Sequence, residues 1–225
     1  MERHFDEELK KFNKALLKMA TLTEDSIFHA TEALKKHDSE LAKKVIADDQ
    51  LIDDEELKVE DMGIQLLALR QPLAVDLRFI TTGIKINAEL ERIADLAVNI
   101  CQRVLELGTQ EYLKPVEDIA ELSLIARKMV KDVIDAFVNH NEDLAKQVIL
   151  ADQEANAIKD DVQEELIYDF MIKDGTVAPR AVPLLLVARH LERICDHATY
   201  IAEDVIYIVE AKVIRHHRSE LKEEE

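Results

Sequence analysis

Leu90-Glu91-Arg92-Ile93-Ala94-Asp95-Leu96-Ala97 returns as Leu191-Glu192-Arg193-Ile194-Cys195-Asp196-His197-Ala198. Extended over 90–104 against 191–205, eight of fifteen positions are identical. Upstream, 37–50 against 140–153 gives eight identities in fourteen, from His37 and His140 through the shared Leu-Ala-Lys at 41–43 and 144–146. The offsets, 101 and 103, differ by only two residues, so the matched segments keep their order and almost their register. Two tandem copies follow, spanning 1–108 and 116–214, with a charged C-terminal tail over 215–225.

Each copy has the pattern of three helices. Phe5, Leu9, Phe12, Leu16, Met19, Ile27, Ala30 and Leu34 recur at threes and fours, which is the buried stripe of a bundle helix. His37-Asp38 breaks it, and Asp38 is placed to cap a second helix from Ser39 to about Leu69. The Gln71-Pro72 step ends that helix, because a residue before proline resists helical geometry, and Pro72 is expected to open the third. The third helix runs to about Leu107 with Gly108 as its cap; Gly83 inside it is expected to be a weak point. The second copy predicts helices over Val116–Asn139, Glu142–Ile172 and Pro179–Val213, with a loop at Lys173–Thr176. Long helices on short connections lie antiparallel, so the expected fold is all-α, an elongated antiparallel bundle of two three-helix repeats.

Composition agrees. In 225 residues there are four Gly, four Pro and no Trp, too few turn formers for a sandwich or barrel of many strands. A formal charge of −18 opposes nucleic acid and anionic lipid as partners. The basic cluster Arg215-His216-His217-Arg218 is followed at once by an acidic end. No apolar run is long enough for a membrane span or a signal peptide, and Cys101 and Cys195 lack metal or disulfide spacing. These features predict a cytoplasmic protein with packed, reduced thiols.

The acidic residues fall in rows. Glu91/Asp95 and Glu192/Asp196 stand four apart, one turn along one helix face, and on the side away from the apolar stripe. Asp49, Asp53, Glu56 and Glu60 line one face of the second helix, whereas the corresponding row in the second copy is Asp152, Asn156, Lys159 and Gln163. A solvated acidic face is the ordinary reading. A repeated like-charged pair lacking a basic residue four positions on is also the pattern of an oxygen-donor cation site for Mg, Ca, Mn or iron. Both readings stand on spacing alone. No Glu or Asp lies three residues before any of the eight histidines, so the Glu-x-x-His of buried di-iron bundles is absent. There is no P-loop and no dinucleotide fingerprint. His197 is expected at the surface, since Leu96 holds its place in the first copy. Arg70 and Arg78 flank the predicted hairpin as partners for acidic neighbours or as a docking end.

The segment Leu67-Ala68-Leu69-Arg70-Gln71-Pro72-Leu73-Ala74-Val75-Asp76-Leu77-Arg78-Phe79-Ile80 and the twin Leu-Glu-Arg-Ile-x-Asp motifs resemble the PhoU family of bacterial regulators of phosphate transport, over essentially the whole chain. The resemblance implies surface metal clusters, iron above all. Asp49/Asp53 with Glu91/Asp95 match one set, and Asp152/Asn156 with Glu192/Asp196 match the other, Asn156 standing where an acid is expected. It also implies a non-enzymatic homodimer that represses phosphate uptake and the starvation response. Such a protein couples the nucleotide-binding subunit of an ABC phosphate importer to a sensor histidine kinase. The rival readings are a carboxylate-cluster metalloenzyme, hydrolytic or redox, and a metal-free helical adaptor.

Overall fold

The computed structural model describes residues 2–210. The predicted ends of the last helix at Val213 and of the second repeat at 214, and the tail 215–225 with its basic cluster, lie outside them. Six helices account for the architecture: α1 (Glu2–Lys36), α2 (Ser39–Arg70), α3 (Ala74–Leu107), α4 (Glu117–Asn139), α5 (Glu142–Glu164) and α6 (Ala178–Glu210). Thirty-four residues make α3 about 50 Å long at the helical rise.

The first turn of each copy is built alike. His37 closes α1 in the left-handed region at φ 52°, the Asp38 amide donates to the Ala33 carbonyl, and the Asp38 side chain accepts from the Leu41 amide at 2.9 Å. His140, Asn141, Ala136 and Leu144 repeat every part of this, with φ 51° at His140 and 3.0 Å to Asn141 Oδ1. Each turn therefore ends one helix on its orphan carbonyls and starts the next on a side-chain cap.

The second turns differ from expectation. Gln71 does end α2, in the left-handed region at φ 48°, but Pro72 does not open α3. Leu73 is extended and the helix starts at Ala74, because reversing the chain between antiparallel helices takes non-helical residues at 71–73. In the second copy, α5 widens into a π-helix over Glu165–Met171, where the Ile172 amide reaches back five residues to the Ile167 carbonyl. A 3₁₀ turn at Gly175–Val177 occupies the predicted loop, and α6 begins at Ala178, leaving Pro179 in the first turn where no amide is needed. Lys114, buried just before α4, ties the inter-repeat connection to Asp118 and to Glu165 at the start of the π-helix.

Side-chain contacts set the directions. Arg70 forks onto Glu8 with two bonds of 2.7 Å, and Lys18 meets Glu55, so α1 and α2 are antiparallel. Phe12 touches Phe79, and Thr23 donates to the Leu90 carbonyl at 3.3 Å, so α1 and α3 run parallel. Between repeats, Thr31 and Ser123 share a 2.6 Å hydrogen bond and Arg127 lies over the Phe28 ring, making α1 and α4 antiparallel. Glu89 meets His197, and Lys85 approaches Asp204 at 3.9 Å, so α3 and α6 are antiparallel too. One continuous core, from Phe12 and Ile27 through Leu90 and Phe137 to Leu191 and Ile206, joins both repeats. Gly83 is no weak point within it. A Cβ there would stand 2.7 Å from the buried Phe12 ring, so the glycine is what lets α1 and α3 close on each other. Among the described residues, no helix is long and apolar enough to cross a membrane.

Candidate cation-binding faces

The first face lies where α2 and α3 run side by side, the Asn87 amide holding them together through a 2.8 Å bond to the Glu56 carbonyl. Asp49, Asp53, Glu56 and Glu60 are all half-buried, while Asp48, Asp54 and Asp61 beside them are exposed. Glu91, half-buried, and Asp95, exposed, come from α3.

The two rows meet electrostatically. Burial and then the charges of Asp53 and Asp95 push the Asp49 carboxyl up to about 6. Burial, then Asp95, Asp53 and Glu56, raise Glu91 against a smaller opposing pull from Arg92. Partial desolvation and then Asp53 raise Asp95, and burial followed by Glu60 and Asp53 raises Glu56. Arg92 pairs with Glu89 at 2.5 Å and exerts the smallest of these effects on Glu91. Half-buried carboxylates that repel one another are relieved by a nearby positive charge. The donor set is all oxygen, which suits hard or borderline cations. Among the described residues, no three Asp, Glu, His or Cys side chains already converge as a coordination shell, so an ion would have to draw them in.

The second face, on α5 and α6, repeats the placement and not the charge. Asp152, Asn156, Glu192 and Asp196 come together, with Asp152 only 6% exposed and the other three half-buried. The Asn156 side-chain amide donates to Asp152 Oδ2 at 3.1 Å. Burial and then Asp196 raise Glu192, but Lys159 and Arg189 pull it back. Arg189 was not singled out from the sequence; its signal was there in the 101-residue offset, which sets it against Ala88. Cys195, fully buried beneath this face, is held up first by burial and then by Asp152, Asp196 and Glu192, and burial pushes Cys101 up to about 12. Burial thus favours the protonated, unreactive form of both thiols.

His197 departs from expectation. It is 9% exposed, its Nδ1 lies 2.6 Å from Glu89 Oε2, and its ring edge meets Tyr200. Leu96, its counterpart, is buried as well. Burial disfavours the Glu89 charge, but the His197 hydrogen bond and the charges of His197 and Arg92 outweigh it, holding Glu89 below the usual carboxylate range. The polar partner that makes a buried histidine tolerable is 108 residues away.

The PhoU domain model matches the chain twice, over residues 16–104 and 119–205. The phosphate-specific transport system accessory protein PhoU homolog of Aquifex aeolicus is 38% identical over 93% of this chain and 94% of its own. The Escherichia coli accessory protein PhoU is 31% identical over 94% of this chain and 88% of its own. The crystal structure of PhoU from Pseudomonas aeruginosa, 33% identical, superposes with a TM-score of 0.88 over 92% of this chain and all of that one.

Proposed function

This chain belongs to the PhoU family, and from that premise we propose that it is the accessory protein of a phosphate-specific transport system. In this reading it restrains uptake and the starvation response when phosphate is plentiful. It does so by coupling an ABC importer, through its nucleotide-binding subunit, to a sensor histidine kinase, as a homodimer in the cytoplasm. The observation that carries the reading is that relatives bearing the accessory-protein name match across both repeats and more than nine tenths of the chain. Long helical faces with few loops suit docking to other proteins.

Asp49, Asp53, Glu91 and Asp95 fit the metal that the family implies, with Glu56 and Glu60 completing the row. Their oxygens would hold an iron, Mn, Mg or Ca ion, and the ion would neutralise a face that otherwise repels itself and any acidic partner. Deleting the gene is expected to derepress phosphate-scavenging genes at high phosphate, and a pull-down is expected to recover importer and kinase in a phosphate-dependent manner. Unchanged expression would refute the regulatory role. Metal-dependent turnover abolished by Asp95→Asn would favour a metalloenzyme instead.

A further inference from the structure

The hairpin over 69–77 turns the chain from α2 to α3 at the end of the bundle where α1 begins, and it holds apolar side chains outward. Leu73 is 80% exposed and Leu69 71%, more than any other large apolar residue described, and Val75 and Leu77 are exposed beside them. The turn is fixed in place. Gln71 and Ala74 both stand in the left-handed region, at φ 48° and 44°, and Arg70 forks onto Glu8 to pin the hairpin to α1. A cleft opens on either side of α1 at this end. One of about 190 Å³ is lined by Met62, Leu66 and Leu69 of α2. The other, of about 320 Å³, is lined by Leu9, Val75, Phe79 and Val138 from α1, α3 and α4. Asn13 Oδ1, at the larger cleft, is buried without a hydrogen-bond partner. Hairpin residues therefore border both hollows.

Resting on the reading that the chain works as a homodimer, we propose that this end is where two copies meet, the hairpin of each seated in the larger cleft of the other about a two-fold axis. Shape and charge select a second copy over another partner. A patch that carries a protrusion and a hollow side by side fits its own image under two-fold rotation, which is what an isologous interface requires. Two copies at −18 each repel one another, yet the segments 4–14 and 70–78 hold five Lys and Arg against four Asp and Glu. The rim of the larger cleft sets Lys10 beside Asp6 and Asp76, so unlike charges of the two copies pair where they meet. Association also takes Leu69 and Leu73 out of water, and the exposed Gln71 amide at the tip is a donor of the kind Asn13 Oδ1 lacks.

The experiment is sedimentation equilibrium of the full chain, as wild type and as Leu73→Asp, Lys10→Glu and Leu57→Glu. The wild type is expected to dimerise. Leu73→Asp puts a charge on the tip and is expected to weaken the dimer by about thirtyfold or more. Lys10→Glu removes the lysine that offsets Asp6 and Asp76 and is expected to weaken it by about tenfold. Leu57→Glu, at a position 62% exposed on α2 away from the hairpin, leaves the dimer unchanged. Leu73 has the extended backbone before α3 that accepts Asp as a cap, and circular dichroism verifies the fold of each variant. Should Leu73→Asp not fold, Lys10→Glu decides. A dimer that survives the folded hairpin and rim variants overturns the proposal and leaves the homodimer reading standing. A wild type that is monomeric at every concentration overturns both. If Leu73→Asp then loses the importer subunit from the pull-down, the hairpin docks on that protein and not on a second copy.

Discussion

Asp49 carries the cost of an uncompensated acidic face. Its native pKa, about 6, lies above the value of 3.8 for a free aspartate, because burial and the charges of Asp53 and Asp95 disfavour the ionised form. The group's contribution to stability is therefore fully present below pH 3.8 and is lost as pH rises through about 6. Without metal, Asp49→Asn is expected to melt higher than wild type at pH 7, to converge with it near pH 4, and to lose its advantage once Mn²⁺ is added. Because the side chain is half in solvent, the gain is on the order of 1 kcal/mol. A thermal melt series at several pH values with and without Mn²⁺ checks it; an advantage that persists unchanged at acid pH would show that charge repulsion is not the cause. The Asp53 part was legible in the four-residue spacing; the burial and the Asp95 part were not, since Asp95 is distant in sequence and near only after α2 and α3 pair.

At the scale of elements, the two helix-interior glycines of the first repeat separate packing from propensity. At Gly83 an added methyl meets Phe12 Cε1 at 2.7 Å and Cζ at 2.9 Å, on a ring that is fully buried and has nowhere to go. At Gly63 it meets Ile84 Cγ1 at 2.6 Å and Cδ1 at 2.7 Å, on a half-buried side chain, and the edge of the same Phe12 ring only at 3.2 Å. Alanine gains up to about 1 kcal/mol over glycine in a helix, while overpacking a core costs about 1–3 kcal/mol. Gly83→Ala is thus expected to destabilise by about 1–2 kcal/mol net and Gly63→Ala by less, measured by urea denaturation. Equal costs would mean that Ile84 is as confined as Phe12. Helix identity was legible from the apolar periodicity and the His37-Asp38 and His140-Asn141 turns, because both are local. The value of Gly83 was not legible, since its reason is the packing of Phe12 and Leu16 from α1. The start of α3 was missed by two residues because proline's preference for a first turn gave way to the geometry of the reversal at Gln71–Leu73.

At the scale of the whole molecule, the repeats are units of sequence and not of packing. α1 lies on α4 and α3 on α6, and the core passes without interruption from one copy to the other. Splitting the copies would expose the apolar faces of α1 and α3, and would leave Thr31 without Ser123 and Glu89 without His197. Residues 1–108 expressed alone are therefore expected not to form a folded monomer, and the full chain to unfold in one cooperative transition. Two resolved transitions by calorimetry, or a stable isolated first repeat, would contradict this.

What the sequence determined by itself is whatever repeats or recurs locally: an all-α chain, two copies, the turns between their first and second helices, and the acidic rows at one-turn spacing. These follow from residue order because helical periodicity and capping act over a few residues. The tertiary structure alone decided which rows meet. It set Glu91 and Asp95 against the α2 carboxylates, brought Lys159 and Arg189 to Glu192, and buried His197 against Glu89. Electrostatic neighbours of this kind are made by the pairing of helices, and charge acts through space with no regard to position along the chain.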